Sequence, residues 1–259
     1  MSDLRSVERQ LAVRLAASEA DIIAAQRLRY RIFFDMMGAA AAKAPDARDI
    51  DRYDPLCDHL IVEDLARPGV PVIGTYRLLR QSVADAYHGF YSADEFDLGP
   101  MLNHAAREGV ELLELGRSCV DPAYRDAGTI QLLWRGIADY LVGHRIGYMF
   151  GCGSFPGTDP AEHAEGLSLL AHDHLAPPEL RARAIGHDAI PLATLPIGGY
   201  DPRVALRRLP PLVKAYLRVG ATIGDGAFVD HDFNTIDIFV MMPVARIAAR
   251  YAQRFDVAA

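Results

Sequence analysis

The sequence predicts an α/β fold: a mixed central sheet flanked by helices and extended at its C-terminal end. Three observations carry this reading. Short apolar runs with the pattern of strands interleave with longer segments of helical period. Two such runs, 59–63 and 72–79, are separated by the turn residues Arg67-Pro68-Gly69 and so predict an antiparallel hairpin. A strand at 110–120, a helix at 129–142 and a strand at 146–152 have the order of a βαβ crossover, which makes its strands parallel. A sheet holding both connections is mixed, not all-parallel.

The elements follow in order. Leu11, Val13 and Leu15 alternate over 10–16 and read as a short strand. Ser18 offers an N-cap, and Asp21 completes a variant capping box. The helix that follows runs to about Met37, where Gly38 stops it. Residues 39–55 are loop-like and acidic, and 81–109 read as an irregular, partly helical excursion. Helical character returns at 160–175, and 176–205, rich in proline and glycine, is a long insertion. A helix at 209–219, a strand at 235–242 and a helix at 243–255 complete the chain. The organisation expected is one domain over 1–259, in which 206–259 form a C-terminal extension with basic helices.

The chain has 259 residues, 51% of them hydrophobic, enough to bury a substantial core. Its formal net charge of −7 speaks against bulk nucleic-acid binding. Three cysteines, Cys57, Cys119 and Cys152, give no disulfide framework and fit a reducing compartment. Their spacing, and that of His163, His172 and His174, matches no zinc pattern, so no metal site is expected. The charged start MSDLRSVERQ lacks the apolar core of a signal peptide, and no uncharged run approaches the ~18–20 residues that span a bilayer. The expected location is cytoplasmic, with peripheral attachment to the inner face of the membrane as an option.

The chemistry gathers in ELGRSCVDPAYRDAGT, residues 114–129. Strand residues three apart point to opposite faces, so Glu114 and Arg117 share a face only if the strand is distorted. Gly116 between them is the natural place for a bulge. A bulge also exposes backbone N–H groups that could bind a carbonyl oxygen as charge develops on it. Beyond Val120, Arg125, Gly128 and Thr129 form a turn that opens a helix, whose first N–H groups favour an anion. The same order, strand, glycine turn and helix, occurs in most α/β proteins.

The run R-D-A-G-T-I (125–130) resembles the R/Q-x-x-G-x-G/A signature of the GNAT N-acyltransferase superfamily, with Ile130 where glycine or alanine is usual. The ordered series LRYRIFFDMMGA (28–39), DIDRYD (49–54), HLIV (59–62), GTYRLL (74–79) and ELGRSCV (114–120) is similar to the acyl-homoserine-lactone synthases. The tryptophan those enzymes carry after the first motif is replaced by Ala39. The later runs GCGSFPGTDP (151–160), LPPLVKAYLRVGA (209–221) and VDHDFNTIDIFVMMPV (229–244) are similar to the ornithine-acyl carrier protein N-acyltransferases, also called haemolysin-like acyltransferases.

This resemblance implies a GNAT-like fold and the transfer of a (3-hydroxy)fatty acyl chain from acyl carrier protein to the α-amine of L-ornithine. The donor would be the 4'-phosphopantetheine thioester, used as a substrate, with no cofactor. Glu114, Arg117 and Asp51 are the candidate catalytic residues, with Glu114 the base, directly or through water. The alternative for Glu114 is an ion pair with Arg117 that fixes the sheet. Arg29, Arg77 and Arg117 could hold the substrate carboxylate by bidentate contact, and Phe33, Asp54 and His59 complete the substrate-binding set. Asp51 and Asp54 lie in an acidic cluster suited to a cationic acceptor, or to plain solvation. Val120, Arg125, Gly128 and Thr129 are the donor-binding candidates. Rival readings are another amino-acid acceptor such as glycine, glutamine or lysine, an autoinducer synthase, and a non-catalytic membrane-interacting protein.

Two basic segments stand out on this acidic chain. Arg203, Arg207, Arg208, Lys214 and Arg218 occur without an intervening acid, and Arg246, Arg250 and Arg254 recur at four-residue spacing beside Val244, Ile247, Tyr251 and Phe255. Both suit acidic partners, an acyl carrier protein or an anionic membrane surface. Both equally suit helices packed on the sheet with solvated arginines.

Overall fold

The computed structural model describes residues 9–40, 45–67, 69 and 72–246. In chain order the first elements are β1 (Leu11–Leu15), α1 (Glu19–Tyr30), β2 (Asp58–Asp64), β3 (Val72–Arg80) and α2 (Gln81–Ala84). Next come β4 (Phe96–Asp97), α3 (Gly99–Glu108), β5 (Glu111–Val120), α4 (Ala127–Val142) and β6 (Ile146–Pro156). Then follow α5 (Ala164–Asp173), β7 (Arg183–Ala184), β8 (Ala189–Ile190), α6 (Pro202–Arg208), α7 (Pro211–Arg218), β9 (Thr222–Asp230) and β10 (Thr235–Pro243). Two compact units result, Met1–Leu78 with Gly116–His144, and Leu79–Leu115 with Arg145–Ala259, so β5 contributes half a strand to each.

In the first unit β1 and β2 pair antiparallel, as do β2 and β3, with His59 opposite Arg77. This is the predicted hairpin. Ser18 caps α1 through the predicted reciprocal box, its side chain accepting from Asp21 N. The α-helix ends earlier than its sequence suggests, however. Residues Arg31–Met36 form a π-turn, closed by Met37 N donating to Ile32 O at 3.1 Å. The wider turn leaves Phe33 half-buried against a core of Ala25, Leu28, Ile32, Ile61, Val72 and Cys119. Helix α4 lies close on β1 and β2: a Cβ on Gly136 would come within 2.7 Å of Val13 and 2.9 Å of Leu60.

In the second unit the first half of β5 pairs parallel with β6, from Glu111↔Ile146 to Glu114↔Phe150, as the crossover predicts. On its other edge β6 pairs with β10, antiparallel from Pro156↔Thr235 to Tyr148↔Pro243. β10 pairs with β9, which carries β7 and β8; β7 in turn carries β4. Three sequence expectations need correction. β6 runs four residues past its expected end at Cys152. The 176–205 insertion contains β7 and β8. β9 was not anticipated at all. The expected C-terminal helix begins at 244–246, and the rest of it lies outside the described residues. Among the described residues no helix is long and apolar enough to cross a membrane.

Candidate active site

The predicted charged residues of the first unit converge on one buried network. Arg29, on α1, is wholly buried, and its Nε lies 2.8 Å from Asp49 Oδ2. Its Nη2 donates to the Asp49 carbonyl at 2.6 Å and to Asp54 Oδ1 at 2.5 Å. Arg77, on β3, donates from Nη1 to both oxygens of Asp51 at 2.7 Å and lies 3.4 Å from Asp54 Oδ2. Arg117 reaches Asp49 and Asp51 at 3.2 Å each. Three guanidinium groups thus interleave with three carboxylates. Such burial is tolerable because each charge is paired and hydrogen-bonded.

Local structure explains the convergence. The backbone N–H of Asp51 donates to Asp54 Oδ2, and that of Tyr53 to Asp51 Oδ1, so DIDRYD folds into a tight turn with its acids pointing one way. The strand break expected at Gly116 falls instead on Arg117, whose φ of 51° is left-handed. A side chain there costs about 1–2 kcal/mol, which the two ion pairs offset. Burial opposes the charge on Asp51, but Arg77 and Arg117 outweigh it and hold its pKa down at about 2. His59 sits 2% exposed between Arg29 and Asp54. Burial, reinforced by Arg29, pushes its pKa down, so the ring is neutral. In that state Nδ1 accepts from Arg29 Nη1 at 3.5 Å while Nε2 donates to the Asp54 carbonyl at 3.0 Å. Asp51 and Arg117 are the members with most solvent access, their side chains 23% and 11% exposed.

Glu114 belongs to a second constellation, in the other unit. Its Oε2 accepts from Tyr91 N at 2.8 Å, and its Oε1 from Ser92 N at 2.7 Å and Ser92 Oγ at 2.5 Å. The carboxylate thereby caps the short 3-10 turn Tyr91–Asp94. Ser92 Oγ lies 3.6 Å from Cys152 Sγ, which in turn donates to Glu95 Oε2 at 3.4 Å. Glu95, Cys152 and Asp237 bring one donor atom each within 4.8 Å of one another. Burial, with Glu95 and Asp237 adding to it, pushes the Cys152 thiol well up, so the sulfur keeps its proton. This trio is the grouping with metal-ligand spacing among the described residues. His163 and His172 instead contact the Pro156 carbonyl and the Tyr200 hydroxyl. A small apolar cavity of about 20 Å³ adjoins the trio through Cys152, lined also by Leu115, Met149, Phe150, Tyr216 and Met242.

The donor-binding candidates stay together at the start of α4. Arg125 Nε donates to the Val120 carbonyl at 2.9 Å. Thr129 gives its N–H at 2.9 Å and its hydroxyl at 3.2 Å to Asp126 Oδ1, so Asp126 is the N-cap. Its carboxyl is held below the usual range, first by the Thr129 N–H. Gly128 has ordinary φ, and an added Cβ would meet Asp126 Oδ1 at 3.3 Å. On α6 and α7, Arg203, Arg207 and Arg218 are exposed, Arg208 pairs with Glu165 at 2.8 Å, and Lys214 donates to the Arg207 carbonyl at 2.8 Å.

Known proteins with similar sequences settle the family. Residues 28–135 match the family described as acetyltransferase (GNAT) domain. An L-ornithine N(alpha)-acyltransferase of Brucella abortus (strain 2308) is 48% identical, covering 96% of this chain and 90% of the relative. The chain belongs to the L-ornithine N(alpha)-acyltransferase family. Proteins of that name from Rhizobium meliloti (strain 1021) and Rhodobacter capsulatus are 45% and 39% identical, over 96% and 93% of this chain and 86% and 93% of their own lengths. The chain is an acyltransferase with a GNAT-like α/β fold.

Within this acyltransferase, Arg29, Asp51, Asp54, His59, Arg77 and Arg117 come together, and Phe33 packs on the adjoining core. Glu114 keeps different company. Sequence reading placed Asp49 among the loop acids but not in the site, weighed Cys152 only for a disulfide or zinc role, and passed over Ser92, Glu95 and Asp237. Asp237 did leave a signal: one acid inside the apolar run TIDIFVMM marks a buried carboxylate on a core strand. Ser92 and Glu95 left none, lying in a segment without periodicity.

Proposed function

We propose that the enzyme transfers a (3-hydroxy)fatty acyl chain from an acyl carrier protein thioester to the α-amine of L-ornithine, giving lyso-ornithine lipid. The observation that carries this reading is the 48% identity, along nearly the whole chain, to a protein named for N-acylation of ornithine. A thioester is already activated, so direct amine attack suffices and the reaction calls for no metal or redox cofactor. Glu114 takes a proton from the α-ammonium, directly or through water. The amine attacks the thioester carbonyl carbon, and the tetrahedral oxyanion collapses. The C–S bond breaks as the amide forms, and the pantetheine sulfur leaves and is protonated. The products are amide, free thiol and one net proton.

Asp51 and Arg117 serve as the substrate-facing members of the charged network, with Arg29, Asp54, His59 and Arg77 holding them in place. The supporting observation is the gradient of exposure across that network. Arg125, Gly128 and Thr129, with Val120, receive the donor phosphodiester. Acyl carrier protein docks on Arg203, Arg207, Arg208, Lys214 and Arg218. The purified enzyme, given 3-hydroxyacyl-acyl carrier protein and L-ornithine, should release free thiol and form N-acyl ornithine. No thiol release with ornithine or any other basic amino acid would sink the proposal. Glu114→Gln should lower kcat about 10²–10⁴-fold, the range for a general base, with the KM for ornithine little changed.

A further inference from the structure

The α6–α7 pair carries more apolar surface than its own packing uses. Its inward positions are Ala205, Leu209, Val213 and Tyr216, all buried and spaced by three or four residues. Leu209 packs on α5, where a Cβ on Gly166 would meet it at 3.0 Å, and Val213 packs on β6, where a Cβ on Gly153 would meet it at 3.5 Å. Tyr216 lines the small apolar cavity beside Cys152. Leu206 and Leu212 lie off this stripe and are 44% and 39% exposed. One exposed leucine needs no explanation, but these two stand in the segment that carries five cations and no acid. Arg203, Leu206 and Arg207 share one face of α6, at the i, i+3, i+4 spacing. Lys214 Nζ donates to the Arg207 carbonyl at 2.8 Å and ties α7 to the end of α6. The result is a preformed face, apolar at two points and cationic around them.

We propose that Leu206 and Leu212 are the apolar anchors on which acyl carrier protein seats, while Arg203, Arg207 and Arg218 around them steer it in. It rests on the reading that the carrier protein docks on 203–218, and it adds what holds the partner there. An acidic partner complements the cations, and protein interfaces combine a few apolar anchors with a polar rim. The two kinds of residue then act on different rates. Rim charges set how fast the partners meet and how that rate falls with salt. Apolar anchors buried in the complex set how slowly the partners part. The place of the face in the fold favours the same occupant. On its inner side α7 presents Tyr216 to the cavity that Leu115, next in sequence to Glu114, also lines. The docking face therefore lies about one helix diameter, ~10–12 Å, from that cavity. The flexible pantetheine arm of the donor spans such a distance.

The test compares the wild type with Leu206→Gln, Leu212→Gln, the two together, and the double substitution Arg203→Glu and Arg207→Glu. Glutamine keeps the helix propensity of leucine and removes its apolar surface. Each enzyme is assayed by thiol release with ornithine and one of two donors. One is 3-hydroxyacyl-acyl carrier protein; the other is the same acyl chain on free 4'-phosphopantetheine, which brings no protein to dock. Association and release of acyl carrier protein itself are followed in parallel. With the carrier-bound donor, each leucine variant should raise KM about three- to eightfold, the scale of burying the last two-fifths or so of a leucine. The release rate should rise by the same factor. The association rate and its salt slope should stay within about twofold, as should kcat/KM for the free phosphopantetheine donor. Unchanged KM and release rate in the paired leucine variant, with the salt slope lost in the arginine variant, overturn the anchors and leave the docking face intact. If neither leucine nor arginine variants alter use of the carrier-bound donor, the carrier protein docks elsewhere and both readings fall. An equal loss with both donors means that the leucines support the fold, and overturns the anchors; the free donor thus keeps the test decisive should a variant fold poorly. Unchanged carrier kinetics with lost binding to vesicles of anionic phospholipid would assign the two leucines to a membrane surface and overturn the anchors as well.

Discussion

Arg29 is a charge with no water around it, and its tolerance depends on Asp49 and Asp54. Replacing it by methionine fills similar space but strands both carboxylates. The expected cost is about 3–5 kcal/mol, read as a lower urea midpoint at unchanged slope. Asp51 makes a separate prediction on pH. Its folded pKa of about 2 lies below the ordinary 3.8. The folded state therefore binds the proton less tightly than the unfolded chain. The stabilisation is complete above about pH 4 and is lost as pH falls towards 2, a loss of about 2 kcal/mol. Wild-type and Asp51→Asn stability curves should converge by that amount over this window; parallel curves would contradict the assignment. Much of this network was legible in the sequence, because DIDRYD concentrates acids in a turn and Arg77 interrupts a buried strand. The contacts of Glu114 were not legible. They depend on where an aperiodic loop brings Tyr91 and Ser92, twenty-odd residues earlier in the chain.

At the level of elements, the start of α4 shows how a motif can be present with its donors already engaged. The sequence promised helix N–H groups for an anion, and the structure gives one of them, on Thr129, to the Asp126 carboxylate. A phosphodiester arriving there meets a negative charge. Asp126→Asn keeps an oxygen for the cap but removes that charge, so the cap should cost only a few tenths of a kcal/mol. The KM for the acyl donor should fall about two- to fivefold, the scale of one charge at a helix terminus. An unchanged KM would move the phosphate away from this turn. β9 shows the opposite failure, an element present without its motif. TIGDGAFVD breaks strand alternation with two glycines, yet both have physical reasons. A Cβ on Gly224 would stand 2.8 Å from the Ala182 carbonyl, and Gly226 has a φ of 79°. The neighbouring chain dictates those residues, and a pattern sought within one segment cannot reveal a neighbour.

At the scale of the whole molecule, charge distribution and net charge make opposite predictions about how the acyl donor arrives. The chain carries −7, and acyl carrier protein is itself acidic, so two bodies treated as uniform charges repel. Salt would screen that repulsion and speed association. The 203–218 segment, however, carries five cations and no acid, and Arg203, Arg207 and Arg218 on it are exposed. At close range a partner senses the patch within about a Debye length, ~8–10 Å at physiological salt, more than the distant total. If this segment docks the donor, kcat/KM for acyl-acyl carrier protein falls as salt rises, by about three- to tenfold between low and physiological ionic strength. The double substitution Arg203→Glu and Arg207→Glu should abolish or reverse that slope. It should leave kcat at saturating donor unchanged, since α6 carries none of the proposed chemistry. A wild-type rate that increases with salt would mean that net charge governs the encounter, and that these arginines face solvent or an anionic membrane surface. Binding to vesicles containing anionic lipid separates those two outcomes.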